Sequence, residues 1–170
     1  MSEIFFIGDT HFGHSQIIDY ENRPFTNVEE MDNQLIHRWN SVVKDGDTVF
    51  MIGDFSFYDK EKTLEICNKL NGIKILIKGN HDDKSEEYYC ECGFNKVYEY
   101  PVILKQFWMI SHEPLYINKN MPYANIYGHV HANEMYVDYS KHSFCACVER
   151  INYTPISWKV IKEKLSSVEK

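Results

Sequence analysis

The sequence has no apolar run long enough to span a bilayer and no excess of positive charge. Its 25 Asp and Glu residues outnumber its 18 Lys and Arg residues, and the formal net charge is −7. We therefore expect no membrane partner and no strong nucleic-acid surface. The first residues enter a strand-like apolar segment without a basic lead or a cleavage site, so we expect a cytoplasmic protein.

Cysteine is scarce and odd in number. Four of the five cysteines form two C-x-C pairs, at 90/92 and 145/147, and the fifth is Cys67. The odd count favours reduced thiols, and the C-x-C spacing is not the C-x-x-C typical of structural zinc sites. We interpret these residues as buried small apolar side chains, with metal binding by the pairs as the alternative.

The chain length suits one domain, residues 1–170, with a sizeable core and no repeat or linker. In the first half, strands are predicted at 3–8, 48–52 and 73–78, and helices at 28–43 and 60–70. This β-α-β-α-β order favours a parallel sheet with right-handed crossovers. The segment 17–25 between the first strand and the first helix is predicted to be an irregular loop.

The second half has a different pattern. A helical piece is predicted near 84–92 and a last helix over 155–165, with a frayed tail over 166–170. Between the helices, short strands are predicted at 95–100, 102–105, 107–112, 124–128, 135–138 and 143–148. This series of strands is typical of an antiparallel meander.

Polar residues follow several of the predicted strands. Gly79-Asn80-His81-Asp82 comes directly after the third strand, at the edge where open α/β sheets build their sites. Asp9 and His11 follow the first strand two residues apart, and extended backbone would direct both side chains to one side. The alternative for this pair is a turn with a capping Asp. Asp54 follows the second strand after Gly53.

Together these strand ends hold two carboxylates, one amide and four imidazoles. The seven residues are Asp9, His11, Asp54, Asn80, His112, His129 and His131. Oxygen and imidazole ligands without thiolates suit Mn, Fe, Zn and related divalent ions. Seven ligands are too many for one ion, but they suit two ions that share a carboxylate. Such a pair, about 4 Å apart, can hold a hydroxide and clamp the oxygens of an in-line phosphoryl displacement.

The order of these blocks resembles the calcineurin-like metallophosphoesterases. The blocks are Asp9-x-His11, Gly53-Asp54, Gly79-Asn80-His81-Asp82, His112 and Gly128-His129-Val130-His131. A looser likeness to the small single-domain bacterial and phage members covers nearly the whole chain. The resemblance implies an α/β fold, a four-layer α/β-β/α sandwich of two mixed sheets flanked by helices, with the site at the carboxyl edge of the sheets.

The resemblance also implies ligand assignments. Asp9, His11 and His131 would hold the first ion, Asn80, His112 and His129 would hold the second, and Asp54 would bridge them and be catalytic. His129 and His131 would then serve different ions although they are two residues apart, so their backbone cannot be a plain strand.

Six further residues are interpreted, four of them in relation to this set. His81 would be catalytic, hydrogen-bonding the phosphoryl oxygens or the leaving group and donating a proton. Asp82 either orients His81 or caps a helix. Arg23 and His14 are weaker, substrate-binding candidates for phosphate contact, with an ordinary surface-loop role as the alternative. His37 is interpreted as an ordinary helix-surface or packing histidine, and His142 as a solvated surface residue.

The expected function is hydrolysis of a small or exposed phosphodiester or phosphomonoester, including nucleotide-type substrates. The expected cofactors are two divalent metal ions, with manganese first and iron, nickel or zinc as the others. The alternative is a metal-binding scaffold of the same fold with weak or no catalysis. The sequence leaves the oligomeric state open.

Overall fold

The computed structural model describes residues 2–118, 120–136 and 142–166. The strands are β1 (Ile4–Ile7), β2 (Thr48–Ile52), β3 (Ile73–Ile77), β4 (Lys96–Tyr98), β5 (Val102–Leu104), β6 (Trp108–Ser111), β7 (Ala124–Tyr127), β8 (Ser143–Cys145) and β9 (Ile156–Ser157). The helices are α1 (Gln16–Tyr20), α2 (Val28–Val42), α3 (Lys60–Lys69), α4 (Glu86–Glu91) and α5 (Trp158–Ser166), and 3₁₀ turns lie at Glu134–Tyr136 and Val148–Arg150.

Two mixed sheets with flanking helices make up the fold. The first sheet has the strand order β4-β3-β2-β1-β9, in which β1 to β4 run parallel and β9 is antiparallel to β1. The second sheet has the order β5-β6-β7-β8. The predicted architecture of two mixed sheets in an α/β fold is therefore confirmed.

Apolar side chains pack on both faces of the first sheet. Phe6 and Phe50 of the first sheet pack in one cluster with Ile110 and Ile126 of the second. On the other face of the first sheet, side chains of β1 and β2 pack against α2, whose buried positions include Trp39. Because β1, β2 and β3 are covered on both faces, they read as near-continuous apolar runs in the sequence.

The predicted meander in the second half is wrong. In the second sheet β5 and β6 pair antiparallel, whereas β6, β7 and β8 are parallel. The connections after β6 and β7 are long enough to cross over, so each strand returns in the same direction. As a consequence, the carboxyl ends of β6 and β7 lie at one edge of their sheet.

Smaller differences concern the termini of elements. Residues 16–20 form the short helix α1 within the segment predicted as a loop. The last helix begins at Trp158, not at 155, because Ile156–Ser157 is taken into the first sheet as β9. The strand predicted at 135–138 overlaps a 3₁₀ turn, and its residues 137 and 138, like the tail 167–170, lie outside the described residues.

No helix in the described ranges is both long and apolar enough to cross a membrane.

Candidate metal centre

The seven predicted ligands meet at the carboxyl ends of five strands. Asp9 and His11 follow β1, Asp54 follows β2, and Asn80 follows β3. From the second sheet, His112 follows β6, and His129 and His131 follow β7. The parallel pairing within each sheet brings these strand ends to a common edge, which is where such sheets carry their sites.

The backbone at most of these ligands is left-handed. The residues with positive φ are Asp9 (59°), His11 (52°), Asp54 (54°), His129 (69°) and His131 (47°). The extended backbone expected at Asp9 and His11 is therefore wrong, although both side chains still reach the cluster. The prediction that the backbone at His129 and His131 departs from a plain strand is confirmed. Such conformations cost about 1–3 kcal/mol each for non-glycine residues and cluster at functional sites.

One group of ligand atoms comes from Asp9, His11 and His131, whose donor atoms all lie within 4.8 Å of one another. Nε2 of His131 is 3.9 Å from Oδ1 of Asp9. Both carboxylate oxygens of Asp9 accept from the backbone N–H of His129 at 3.0 Å, which orients the carboxylate. A Cβ on Gly128 would come within 2.6 Å of Oδ2 of Asp9, so only glycine fits at that position.

A second group is formed by Asn80, His112 and His129. Oδ1 of Asn80 lies 3.0 Å from Nε2 of His112 and 2.9 Å from Nδ1 of His129. The two imidazole nitrogens are 3.1 Å apart. Three atoms that can each coordinate a metal therefore converge on one point.

Asp54 lies between the two groups. Its Oδ2 atom is 3.6 Å from Nε2 of His11 and 3.5 Å from Nε2 of His112. The carboxylate is 2 % exposed and faces both sets of ligands. This is the position that a carboxylate shared by two ions would occupy.

The residues present fit divalent cations. Nε2 of His11 is buried and, within the described part of the chain, has no hydrogen-bond partner. The other nitrogen of the same ring is occupied, since Nδ1 lies 3.1 Å from Nδ1 of His14. A buried imidazole nitrogen without a partner is costly, and a cation beside Asp54 would satisfy it. The mixed oxygen and imidazole donor set suits first-row divalent metals.

Burial and neighbouring charges shift the pKa values of these groups. Burial raises the pKa of Asp9 to about 6, against the opposing effect of His112 and His131. Burial lowers the pKa of His11, and His131 and Arg23 lower it further. Burial also disfavours the charged form of His131, but the hydrogen bond to Glu149 and the charge of Asp9 outweigh it and raise the pKa to about 9.

The sequence did not indicate Glu149, which supports His131. Oε1 of Glu149 accepts from Nδ1 of His131 at 3.1 Å, so that the ring presents Nε2 to Asp9. A carboxylate behind a metal-binding histidine fixes its tautomer and its orientation. Glu149 lies in the 3₁₀ turn at Val148–Arg150, and no motif in the sequence marks it.

Arg23 is not placed for phosphate contact, which corrects the expectation from sequence. Its side chain is 0 % exposed and donates from Nε and Nη2 to Oε1 of Glu149, at 2.9 and 2.7 Å. It also donates to the carbonyl oxygens of Asp9 and Thr10. Arg23 therefore holds the loop after β1 and the carboxylate that orients His131.

Asp82 has neither of its two expected roles. Its Oδ2 atom accepts from the backbone N–H of Asp54 at 2.7 Å and of Gly79 at 2.8 Å, and Oδ1 accepts from Phe55. Ser85 is the residue that caps α4. The buried carboxylate of Asp82 thus ties the loop after β2 to the loop after β3.

His81 and His14 lie at the open side of the centre. The exposed ring of His81 is 5.7 Å from that of His11, and its backbone N–H donates to Oδ1 of Asp54 at 2.9 Å. The half-buried ring of His14 stacks on Phe57 with 4.1 Å between ring centroids. Both rings lie beside His11 and outside the two groups of candidate ligands.

The other histidines and the cysteines lie apart from the centre. His37 is on the exposed face of α2, as predicted. His142 is half-buried and its carbonyl oxygen accepts from the N–H of Asn125, so it is not the solvated surface residue expected. Four cysteines are buried as predicted and Cys90 is exposed. In the ranges that the structure describes, no group of possible metal ligands includes a cysteine.

Comparison with known proteins gives three related sequences or families. The family model described as calcineurin-like phosphoesterase matches residues 2–164. An uncharacterised protein of Methanocaldococcus jannaschii is 38 % identical over 167 residues, which is 95 % of this chain and 90 % of that protein. The gene 66 protein of Mycobacterium phage L5 is 36 % identical over 85 residues, which is 48 % of this chain and 41 % of that protein.

Similar solved structures include one from Aquifex aeolicus and one from Pseudomonas putida. A protein of unknown function from Aquifex aeolicus has a TM-score of 0.78 and 31 % identity, covering 96 % of this chain and 99 % of that chain. Pseudomonas putida nuclease MPE has a TM-score of 0.52 and 19 % identity, covering 75 % of this chain and 60 % of that chain. At that identity, the second similarity shows a shared fold alone.

Proposed function

This chain belongs to the calcineurin-like phosphoesterase family, and from that premise we propose that it hydrolyses a small or exposed phosphoester at the strand-end centre. The observation that carries the proposal is the position of Asp54 between two groups of ligands, with Oδ2 at 3.6 Å from His11 and 3.5 Å from His112. Such an arrangement suits two cations acting on one phosphoryl group.

We assign the ligands as follows. One divalent cation would be held by Asp9, His11 and His131, the other by Asn80, His112 and His129, with Asp54 shared. When bound, two such cations supply an activated water for in-line attack and neutralise charge on the phosphoryl oxygens. Manganese is our first choice of metal, since carboxylate, amide and imidazole ligands suit it.

The proposed reaction is a direct hydrolysis that forms no covalent enzyme intermediate. The oxygen of water forms a bond to phosphorus and gives up a proton to solvent, the bond from phosphorus to the leaving oxygen breaks, and the leaving oxygen takes up a proton. His81 is our candidate for the donor of that proton. Its exposed ring lies 5.7 Å from the ring of His11, where it can contact the substrate. The backbone N–H of His81 donates a hydrogen bond to Oδ1 of Asp54, which holds the residue close to the centre.

The charge of the chain favours a small substrate. With a formal net charge of −7, the surface has no general attraction for a long polyanion. The cytoplasmic location stays a prediction from sequence.

The test is hydrolysis of a chromogenic phosphodiester and its matching monoester by chelated protein reloaded with Mn²⁺. Asp54→Asn is the matched control, since it keeps the shape of the side chain and an acceptor for the N–H of His81. We expect turnover by the reloaded wild type and loss of most activity and of metal retention in the variant. If neither ester is cleaved with Mn²⁺, Fe²⁺, Ni²⁺ or Zn²⁺ while two ions are bound, the scaffold function replaces this proposal.

A further inference from the structure

Two cavities flank the metal centre. One, of about 310 Å³, is lined by His81 and Phe57 and is named here the Phe57 cavity; its other walls include Ser56, Thr63, Lys84 and Tyr88. The second, of about 260 Å³, is lined by Asn80 and His112 among others. A phosphoryl group at the centre would therefore have room for a substituent on either side, as a diester requires.

The Phe57 cavity has an aromatic wall held in place from behind. Phe57 is a large apolar side chain that is 43 % exposed, and its ring lies 5.3 Å from that of the candidate ligand His11. One side of its ring is covered by His14, at 4.1 Å and an interplanar angle of 20°. Because the ring is already ordered by this stacking, a planar group that packs against it loses little additional side-chain entropy on the protein side.

The same cavity has polar groups in its wall and at its rim. In the wall, the hydroxyls of Ser56 and Thr63 lie 3.1 Å apart and are bonded to each other and to the backbone of Tyr58. At its exposed rim, the ammonium of Lys84 pairs with the carboxylate of Asp83 at 2.8 Å. Aromatic rings in the wall suit a planar heterocycle, and the exposed ammonium and carboxylate at the rim suit the hydroxyls of an attached sugar. The volume is at the lower end of the range of about 300–1,000 Å³ typical of small-molecule sites.

The cavity also adjoins the proposed proton donor. The rings of Phe57 and His81 are 5.1 Å apart, and both line the cavity. A group seated there would have its ester oxygen beside His81, which is the position of a leaving group.

We infer that the Phe57 cavity receives the base of a nucleoside leaving group, so that the substrate is a nucleoside-containing phosphodiester. The inference rests on the proposed function and specifies its substrate. Stacking of a base on an aromatic side chain contributes binding free energy whichever base it is. The cavity would therefore favour substrates that carry a base without distinguishing among the bases.

The test uses thymidylyl-thymidine and two analogues that each lack one of the two bases but keep the sugar and the phosphodiester. The bond that is cleaved and the type of hydroxyl that leaves then stay the same, and only the base with its contacts is removed. We expect Mn²⁺-loaded wild type to cleave one of the two analogues with kcat/KM about tenfold lower than the parent. Phe57→Leu should cleave that analogue and the parent at equal rates. Tyr88→Leu, which alters a second wall, should reduce the same difference.

Tyr116→Leu is the matched control, because Tyr116 is 77 % exposed and lines a different cavity with Met109 and Met121. It should keep the wild-type preference. Equal cleavage of the parent and both analogues by wild type overturns the inference, as does an equal loss on all substrates in Phe57→Leu. Cleavage of chromogenic esters but of none of these three compounds also overturns it and leaves the proposed function standing.

A binding measurement separates the two proposals if no ester is cleaved at all. Ligand-observed NMR with thymidine and the metal-loaded protein reports occupancy of the cavity without turnover. A thymidine signal that is lost in Phe57→Leu and kept in Tyr116→Leu supports the cavity assignment even where hydrolysis fails. A signal that is absent, or equal in all three proteins, overturns it.

Discussion

Nδ1 of His131 lies 3.1 Å from Oε1 of Glu149. The same Oε1 atom accepts two hydrogen bonds from the buried guanidinium of Arg23. These three residues come from the loop after β7, the 3₁₀ turn at Val148–Arg150 and the loop after α1, and they form one connected support behind the candidate metal centre. The support sets which nitrogen of His131 is available to a cation.

Glu149→Gln is expected to weaken metal binding. The amide cannot accept from Nδ1–H of His131 with the strength of a carboxylate, so the ring is oriented less firmly, and changes of this kind lower metal affinity about 10- to 100-fold. Competition with a chromogenic chelator measures the affinity. The exposed Glu134 provides the control variant Glu134→Gln. Unchanged affinity in Glu149→Gln would show that the carboxylate has no part in holding His131.

Arg23→Met is expected to destabilise the protein strongly. The guanidinium is 0 % exposed, and its removal leaves the carboxylate of Glu149, which is 5 % exposed, without its main partner. Breaking a buried pair from one side costs about 3–5 kcal/mol of unfolding free energy. Urea unfolding of the metal-free protein measures it, with Lys69→Met as the control because the pair of Lys69 with Glu65 is half-exposed. A loss no larger than that of the control would contradict a structural role for Arg23.

Asp82→Asn is expected to loosen the loops that carry Asp54 and Asn80. The amide of Asn keeps one acceptor oxygen, whereas the carboxylate of Asp82 accepts from three backbone N–H groups. One or more buried donors lose their partner at about 1–3 kcal/mol each. Denaturant unfolding and the metal content of the purified variant are the measurements. Wild-type stability together with full metal content would show that these hydrogen bonds do not hold the centre.

His81→Ala is expected to bind metal normally and to lose rate. Its ring makes no contact shorter than 5.1 Å between centroids with the neighbouring aromatic side chains, so its removal leaves the ligand cluster intact. A general acid contributes about 10²–10⁴-fold, and the loss should be larger for esters with a poor leaving group. Metal analysis and kcat on esters of graded leaving-group pKa separate the effects. Loss of metal in this variant would make His81 a ligand or a structural residue.

The candidate ligands could be predicted from sequence because they follow short predicted strands, of which the first three are strongly apolar. Runs such as residues 48–52 and 73–77 indicate buried strands by composition alone, and the polar residue after each run marks the strand end. The order of Asp9, Asp54, Asn80 and His112 along the chain completed the prediction. These are local signals, and the structure brings together the residues that they indicated.

The tertiary structure decided three features. These are the direction of β6, β7 and β8, the left-handed backbone at the ligands, and the partners of Arg23, Asp82 and Glu149. Strand direction depends on which strands pair. Where strands are short and the connections between them are long, the sequence pattern does not distinguish a hairpin from a crossover. The conformations at Asp9 and His131 are unfavourable locally and persist only because surrounding contacts determine them. Glu149 and His131 lie in two different loops at one edge of the second sheet. Their contact therefore follows from the packing of these loops and not from the spacing of the two residues in the sequence. The sequence by itself therefore determined which side chains are the candidate ligands, and the fold decided which residues hold them in place.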